Sequence, residues 1–422
     1  MRIVKSDLRG ELTAPPSKSY THRAIVLGAL TGEKFEIVRP LISDDTEATL
    51  SAVSMMGAAY DKGINWVRIH CPRISTPKTT IDARNSGTTL RLISGIAALL
   101  EGKTQITGDD SLRKRPMKPL LNALRELGAK CAGEGEDEHP PVKIQGPMTG
   151  THARLPGDVS SQFVSSLLIA CPMKSTPTKI RITGTQKSRS YIDISLDMLK
   201  EFKIKVNRVS DGFEMDGRQR PMRKKFEIPG DFSSAAFLLC GAAMTNGDVR
   251  IRGLELSSPQ GDAAVLKVLT DFGAKIEAKG DLIRCAADRR LPIEFDVSNT
   301  PDLFPIVAVL AATAQGKSRL FGGEHLKYKE SNRIETTVSM LASLGVDAQP
   351  TADGCIINGK GKIKGGTVDT HGDHRIMMSA VIAGLASEQG VIVNDDTSYS
   401  ISYPGFIDDV QKLGAILQQV RG

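Results

Sequence analysis

Six times along this 422-residue chain an amphipathic run ends in an apolar residue, a chain-reversing residue and a second apolar residue, and each stop lies about 70 residues after the last. The stops are Met56-Gly57-Ala58, Leu127-Gly128-Ala129, a degenerate Phe202-Lys203-Ile204, Phe272-Gly273-Ala274, Leu344-Gly345-Val346 and Leu413-Gly414-Ala415. Glycine just past a helix takes a positive φ at no steric cost and closes the last turn. A second series keeps the same step. Small or polar residues open apolar, Ala-rich helices at Ser19–Leu30, Ser86–Leu100, Ser160–Ala170, Phe232–Met244, Asp302–Ala314 and Asp373–Ala386. Short β-branched runs (KFEIV, NWVRIH, TQIT, KIRIT, DVRIRG, SRLFG, GVIVND) fill the gaps. Each unit therefore predicts strand, buried helix, strand, amphipathic helix, strand, strand. Any α/β chain alternates strands and helices; the even spacing is what marks a repeat. Six units of this size are too long for a solenoid, and three per domain make two α/β domains of ordinary size. The break is expected near RPMRKKFEIPGD, residues 220–231, which is basic and holds Pro221 and Pro229.

Composition narrows the function. No apolar run is long enough to span a bilayer, and MRIVKSDLRGEL is too short and charged for a signal peptide. It reads as a first strand, and the cytoplasm of a prokaryotic cell is the expected location. The cysteines, at 71, 131, 171, 240, 285 and 355, form no C-x-x-C pair, which argues against a zinc site or a disulfide framework. The net charge is +7, so an anionic partner is expected. Nucleic acid is poorly served, because aromatics for base stacking are only 5% of the chain and the basic residues are spread out. A small polyanion accounts for the charge equally well.

Polar residues gather at the starts of the six buried helices. The first is PPSKSYTHR, where Ser17, Lys18, Ser19 and Arg23 lead into an apolar run. A helix N-terminus favours anions through its unpaired N–H groups and its dipole, and two cations strengthen that preference. RNSGTTLR follows with Asn85, Ser86, Gly87 and Arg91, then GDVSSQF with Ser160, Ser161 and Gln162, and GDFSSAAF. Asp302 opens the fifth helix, and HGDHR, with Asp373, His374 and Arg375, opens the sixth. NSGTT lacks the Lys of a P-loop, and no G-x-G-x-x-G occurs. By itself it is an ordinary helix cap. In SLRKRPMKPL, Pro116 is expected to start a helix with Arg115 at its positive end. In HLKYKESNRIE, Lys329 and Arg333 stand four apart, so one helix face is expected to carry both, with Glu330 beside them. Like charges at that spacing repel and suggest a shared anion, while a carboxylate among cations stays ionised and can accept a proton. Each charged segment, taken alone, is equally an exposed helix start. HGDH lacks the spacing of a metal-binding helix, so no metal is expected. If equivalent helices point alike, these termini converge within each domain, and the domains could face each other across a cleft.

PPSKSYTHR, NSGTTLR, RKRPMKPL, SSQF, SRSYID, PGDFSSA, PDLFP, KYKESNR and GDHRIMM stand in the order and spacing of the 5-enolpyruvylshikimate-3-phosphate synthase family. The chain resembles that family from Leu12 to SYPGF. The resemblance implies an α/β (α+β) fold, an inside-out α/β barrel of two domains with three βαβαββ repeats each. One domain would comprise residues 1–13 and 227–422, the other the inserted residues 14–226, with the active-site cleft between them. It implies transfer of the enolpyruvyl group of phosphoenolpyruvate to the 5-hydroxyl of shikimate 3-phosphate, through a tetrahedral adduct and with release of phosphate. By matching motifs, Lys18, Ser19, Arg23, Ser160, Ser161, Gln162, Ser188, Tyr191, Asp302 and Lys329 would hold shikimate 3-phosphate. Lys18, Asn85, Gly87, Arg115, Gln162, Arg333 and Arg375 would hold phosphoenolpyruvate. Lys18, Asp302 and Glu330 match catalytic positions, with Asp302 as base toward the 5-hydroxyl and Glu330, with Lys18, as donor to C3. Closure of the domains on substrate would exclude water. No metal or organic cofactor, nucleic acid or membrane is implied, and a monomer is expected. Glyphosate is an expected competitor of phosphoenolpyruvate, since Gly87 leaves room that an alanine would fill.

Two positions depart from the family pattern. Ile401 stands where many members carry a lysine, so that phosphoenolpyruvate contact is absent or replaced. His325 stands where asparagine is common, which leaves its contact to shikimate 3-phosphate open. The nearest rival is the enolpyruvyl transferase that acts on UDP-N-acetylglucosamine. It carries a cysteine in the loop matching SLRKRP and favours asparagine where this chain has Ser19; here the loop has no cysteine. A non-catalytic polyanion-binding protein would leave Asp302 and Glu330 among the cations unexplained.

Overall fold

The computed structural model describes residues 1–395 and 397–419. Its helices are α1 Lys18–Leu30, α2 Asp44–Met55, α3 Gly87–Ala97, α4 Lys118–Glu126, α5 Ser161–Ala170, α6 Arg189–Glu201, α7 Phe232–Met244, α8 Val265–Phe272, α9 Phe304–Ala312, α10 Arg333–Ser343, α11 His374–Ala386 and α12 Phe406–Lys412. Two compact units divide the chain. One is Pro16–Ile228; the other joins Met1–Pro15 to Pro229–Gly422. These limits lie two residues beyond those expected from the sequence.

Six four-stranded sheets share one plan. In the second repeat, Ile81–Asp82 lies parallel to Thr104–Thr107, which lies antiparallel to His139–Gln145, which in turn pairs antiparallel with Lys130–Glu134. Parallel neighbours need a crossover, and the buried helix supplies it. The spatial order first–second–fourth–third recurs in all six sheets.

The repeats are not all contiguous. The first strand of the first repeat is Lys225–Glu227, beside Lys34–Val38. The fourth repeat takes its first strand from Arg9–Thr13, beside Asp248–Arg252. The sixth is completed by Arg2–Val4, which sits between Val391–Val393 and Ile416–Gln418. MRIVKSDLRGEL thus supplies two strands to two different sheets.

Within each unit the apolar helices form the centre. All thirteen residues of α7 and all nine of α9 are buried, and both helices pack against α11. In the other unit α3 packs on α5 and α1 on α3. Each unit has its own apolar core. The even-numbered helices, such as α4 with Leu120, Leu121, Ala123 and Leu124 buried, cover the outside. All six stops hold a left-handed residue. Gly57, Gly128, Gly273, Gly345 and Gly414 have φ between 78° and 104°, and Lys203 takes φ 64°.

Candidate active site

In the unit Pro16–Ile228 the polar groups lie on the first turns of the buried helices. Lys18 is the first residue of α1, and its Nζ pairs with Asp45 Oδ2 on α2 at 2.9 Å. Arg23, one turn further, is buried and reaches three elements. Its Nε donates to Ser195 Oγ at 2.8 Å on α6 and its Nη2 to Ser165 Oγ at 3.1 Å on α5. Nη2 also donates to the Tyr191 carbonyl at 3.0 Å and Nη1 to the Ser19 carbonyl at 2.9 Å. All four acceptors are neutral, and burial pulls this guanidinium down to about 10. Such a cation gains strongly from an anion.

Behind Lys18, His22 Nδ1 shares a hydrogen bond with Thr49 Oγ1 at 2.7 Å. Thr49 meets Thr89 Oγ1 at 2.6 Å, and Thr89 donates to Ser86 Oγ at 2.8 Å. Burial, then the charges of Lys18 and Arg23, depress the imidazole well below its ordinary value, so it stays neutral. This buried chain of hydroxyls ties the heads of α1, α2 and α3 together.

The second and third repeats meet through Gln162. Its Oε1 accepts from Arg91 Nη1 at 2.7 Å and its Nε2 donates to Thr88 Oγ1 at 2.7 Å. Ser160 caps α5 by accepting from Gln162 N at 3.3 Å, and Ser161 is its first, buried residue. Arg115 Nη2 donates to Asn85 Oδ1 at 2.9 Å. A Cβ on Gly87 would stand 2.7 Å from Arg115 Nη1 and 3.1 Å from Arg91 Nη1, so any larger residue would push these guanidinium groups away from the head of α3. Ser188, buried before α6, takes a left-handed φ of 52°, a conformation costly for a non-glycine residue.

In the other unit Arg333, the first residue of α10, is 1% exposed and meets three carboxylates. Its Nη1 pairs with Asp302 Oδ1 at 2.7 Å, Nη2 with Glu330 Oε2 at 2.6 Å and Nε with Asp373 Oδ2 at 2.9 Å. Burial works against the charge, but Asp373, Glu330 and Asp302 outweigh it and hold the guanidinium well above its ordinary value. Asp302 Oδ2 also pairs with Arg375 Nη2 at 3.0 Å. Arg375 Nη2 donates to Ser233 Oγ at 2.9 Å, and Asp231 Oδ1, the cap of α7, accepts from Ser233 Oγ at 2.7 Å. Asp373 caps α11 by accepting from Arg375 N at 2.9 Å. Among the described residues no group of three or more His, Cys, Asp and Glu is arranged to hold a metal ion.

Two expectations are corrected. Pro116 does not start a helix. A 3-10 turn, Leu112–Lys114, precedes it, Arg115 is extended, and α4 begins at Lys118 with Pro119 in its first turn. Proline lacks only a donor that this turn leaves unpaired anyway. Lys329 and Arg333 do not share a helix face. Lys329 is extended at the end of the 3-10 turn Glu324–Tyr328, and α10 starts at Arg333. Arg333 is matched by three carboxylates within its own unit, so no shared anion is needed to hold it there.

The structure groups Ser19, Arg23 and Tyr191 in one hydrogen-bond cluster, pairs Lys18 with Asp45, and joins Asn85 to Arg115. Asp302, Glu330, Arg333 and Arg375 form another cluster in the second unit. His325 is buried in the turn before Lys329, and Ile401 ends the 3-10 turn Ser398–Ile401. Sequence reasoning passed over Asp45, Ser233 and the double use of Asp373. Asp45 lies in the first turn of α2 and Asp373 caps α11; an acidic residue at a helix start is read by default as helix-end chemistry, so no signal set them apart.

The family model described as EPSP synthase (3-phosphoshikimate 1-carboxyvinyltransferase) matches residues 4–410. A 3-phosphoshikimate 1-carboxyvinyltransferase from Methanocorpusculum labreanum is 41% identical over 420 residues, 99% of each chain. The protein of the same description from Methanocella arvoryzae is 43% identical over 420 residues, 98% of each chain. A solved structure of EPSP synthase from Acinetobacter baumannii superposes with a TM-score of 0.80 at 28% identity, covering 99% of both chains.

Proposed function

The chain belongs to the EPSP synthase (3-phosphoshikimate 1-carboxyvinyltransferase) family, and from that premise we infer which of its side chains carry the reaction. It transfers the enolpyruvyl group of phosphoenolpyruvate to the 5-hydroxyl of shikimate 3-phosphate and releases phosphate, within the shikimate route to chorismate and the aromatic amino acids. In the addition step the 5-hydroxyl loses a proton as its oxygen attacks C2, and C3 gains one. In the elimination step C3 gives its proton back and phosphate departs. Both substrates are polyanions, so much of the catalysis is placement of positive charge where negative charge sits.

Arg23 would bind the 3-phosphate of shikimate 3-phosphate, supported by its burial among neutral acceptors only. Lys18, Ser19, Ser160, Ser161, Gln162, Ser188, Tyr191 and Lys329 would complete that site, with Asp302 accepting the 5-hydroxyl proton. Arg115, Asn85, Gly87, Gln162, Arg333 and Arg375 would clamp phosphoenolpyruvate. Lys18 would serve both substrates and assist Glu330.

The observation that carries the chemistry is the joint hold of Arg333 on Asp302 and Glu330. An incoming anion competes for that guanidinium. As Arg333 turns to phosphoenolpyruvate, Glu330 loses its counter-ion and its proton affinity rises, which suits a donor to C3. General acid–base transfer typically contributes about 10²–10⁴-fold. Glu330→Gln is therefore expected to lower kcat by about 100-fold or more while KM for phosphoenolpyruvate moves little. An unchanged kcat removes Glu330 from this role.

Glyphosate would compete with phosphoenolpyruvate at the same clamp; inhibition that is not relieved by more phosphoenolpyruvate contradicts that. We also place the enzyme in the cytoplasm as a monomer. The free thiols among the described residues, five of the six buried, suit a reducing compartment. A solution mass near the 45.4 kDa of one chain checks the monomer.

A further inference from the structure

Asp262 has no part in the scheme above. It lies in the 3-10 turn Gly261–Ala264 that leads into α8. Gln260 clasps this segment to the head of α7. Its Oε1 accepts from Phe232 N at 3.1 Å and its Nε2 donates to the Gly230 carbonyl at 2.7 Å. The same helix head holds Arg375 through Ser233, and Arg375 in turn pairs with Asp302. Asp262 is 5% exposed, and its buried Oδ1 has no hydrogen-bond partner. A buried polar atom left unpaired costs stability, so its retention calls for a reason.

The turn packs on the head of α7, and the charges that act on Asp262 are Asp302 before α9, Asp231 at the head of α7, Arg375 on α11 and Lys329 before α10. Burial first, then the repulsion of Asp302 and Asp231, push the Asp262 carboxyl up to about 8, against the pull of Arg375 and Lys329. It is neutral at neutral pH and charges in mild alkali.

We propose that Asp262 is a positioning residue for phosphoenolpyruvate: neutral, it leaves the Arg375 guanidinium to Asp302 and the incoming anion; charged, it draws on that guanidinium and repels the anion. The proposal rests on the assignment of Arg375 and Asp302 to the site. Only the binding of an anion is affected, so no bond to Asp262 forms or breaks during turnover. Lost hydrogen bonding is the resting cost of keeping this carboxyl uncharged beside two carboxylates.

The test is kcat/KM for phosphoenolpyruvate against pH in the whole enzyme and in Asp262→Asn. In the native enzyme it is expected to fall about tenfold from about pH 7 to about pH 9, as one proton leaves. Asp262→Asn cannot ionise and is expected to lose that limb. A variant with the same limb as the native enzyme overturns the proposal.

Stability gives a second reading with a fixed sign. The folded carboxyl holds its proton to about 8, whereas the ordinary value is 3.8. The unfolded chain releases the proton first, so the contribution of this group is complete below the ordinary value and drains away as pH rises through about 8. The melting temperature of Asp262→Asn is expected to gain on the native enzyme across that window, and a constant difference counts against the proposal. Should Asp262→Asn fail to fold, infrared titration of the native enzyme decides. A protonated carboxylic acid band must be present at neutral pH and vanish near pH 8; its absence at neutral pH overturns the proposal. The site assignment is tested separately by Arg375→Lys. If that variant leaves phosphoenolpyruvate binding unchanged, the assignment fails, whatever Asp262 does.

Discussion

Arg23 and Arg333 are equally buried arginines in opposite circumstances. Arg333 is surrounded by Asp302, Glu330 and Asp373, while the hydrogen-bond acceptors of Arg23 among the described residues are hydroxyl and carbonyl oxygens. An uncompensated buried cation is a reservoir of binding energy for an anion. A matched one must exchange partners, which moves protons. That division suits a holder of phosphate in one unit and an acid–base centre in the other. Arg23→Gln keeps polar contacts but removes the charge. A hydrogen bond to a charged group is worth about 1.5–3 kcal/mol, so KM for shikimate 3-phosphate is expected to rise by about 10- to 100-fold in steady-state kinetics. A KM within twofold of native would place the 3-phosphate elsewhere. Both arginines were legible as residues, because PPSKSYTHR and KYKESNR are distinctive strings. Glu330 was legible beside Arg333, but Ser165 and Ser195 around Arg23 were not, nor was the joining of Asp302 and Asp373 to Arg333. Asp262 sits in a segment with no motif, and its importance comes from the Gln260 clasp and from Asp302, 40 positions later in the chain.

Helix ends were the most readable elements, because cap chemistry is local. Ser86, Ser160, Asp231 and Asp373 each accept from backbone N–H groups of their own first turns. Even the lysine at the third stop was recovered by spacing, since Lys203 takes the left-handed turn that glycine takes elsewhere. Helix starts near proline were harder. Pro116 and Pro119 both fit a first turn, and only packing of Leu120, Leu121 and Leu124 selects the second. The Lys329–Arg333 pairing failed because Arg333 begins α10. Helix crossings leave no trace in periodicity. A Cβ on Gly95 of α3 would lie 2.5 Å from Ser166 Oγ and 2.8 Å from the Ser166 carbonyl on α5. The two helices approach at backbone distance, and these same helices carry Thr88, Arg91 and Gln162. Overpacking typically costs about 1–3 kcal/mol. Gly95→Ala is therefore expected to lower the urea midpoint by that equivalent and to weaken phosphoenolpyruvate binding. A variant as stable as the native enzyme would show that α3 and α5 can part freely.

At the scale of the molecule, the repeat was visible as a period; the family resemblance implied the joining of residues 1–13 to 227–422, but which strands enter which sheet was not legible. Each βαβαββ unit looks self-contained in sequence, yet the first, fourth and sixth sheets borrow strands from distant segments. Strand partners are set by tertiary pairing, which a local pattern cannot encode. The consequence for function is that six helix heads gather polar groups at the starts of buried helices, three in each unit. This is a scaffold suited to polyanions, and on the proposed assignment the acceptor would be chosen by the side chains on those heads. Phosphate release with phosphoenolpyruvate and each of two acceptors, shikimate 3-phosphate and UDP-N-acetylglucosamine, tests that choice most directly. The expected result is release with shikimate 3-phosphate alone; release only with UDP-N-acetylglucosamine, or with neither, would contradict it.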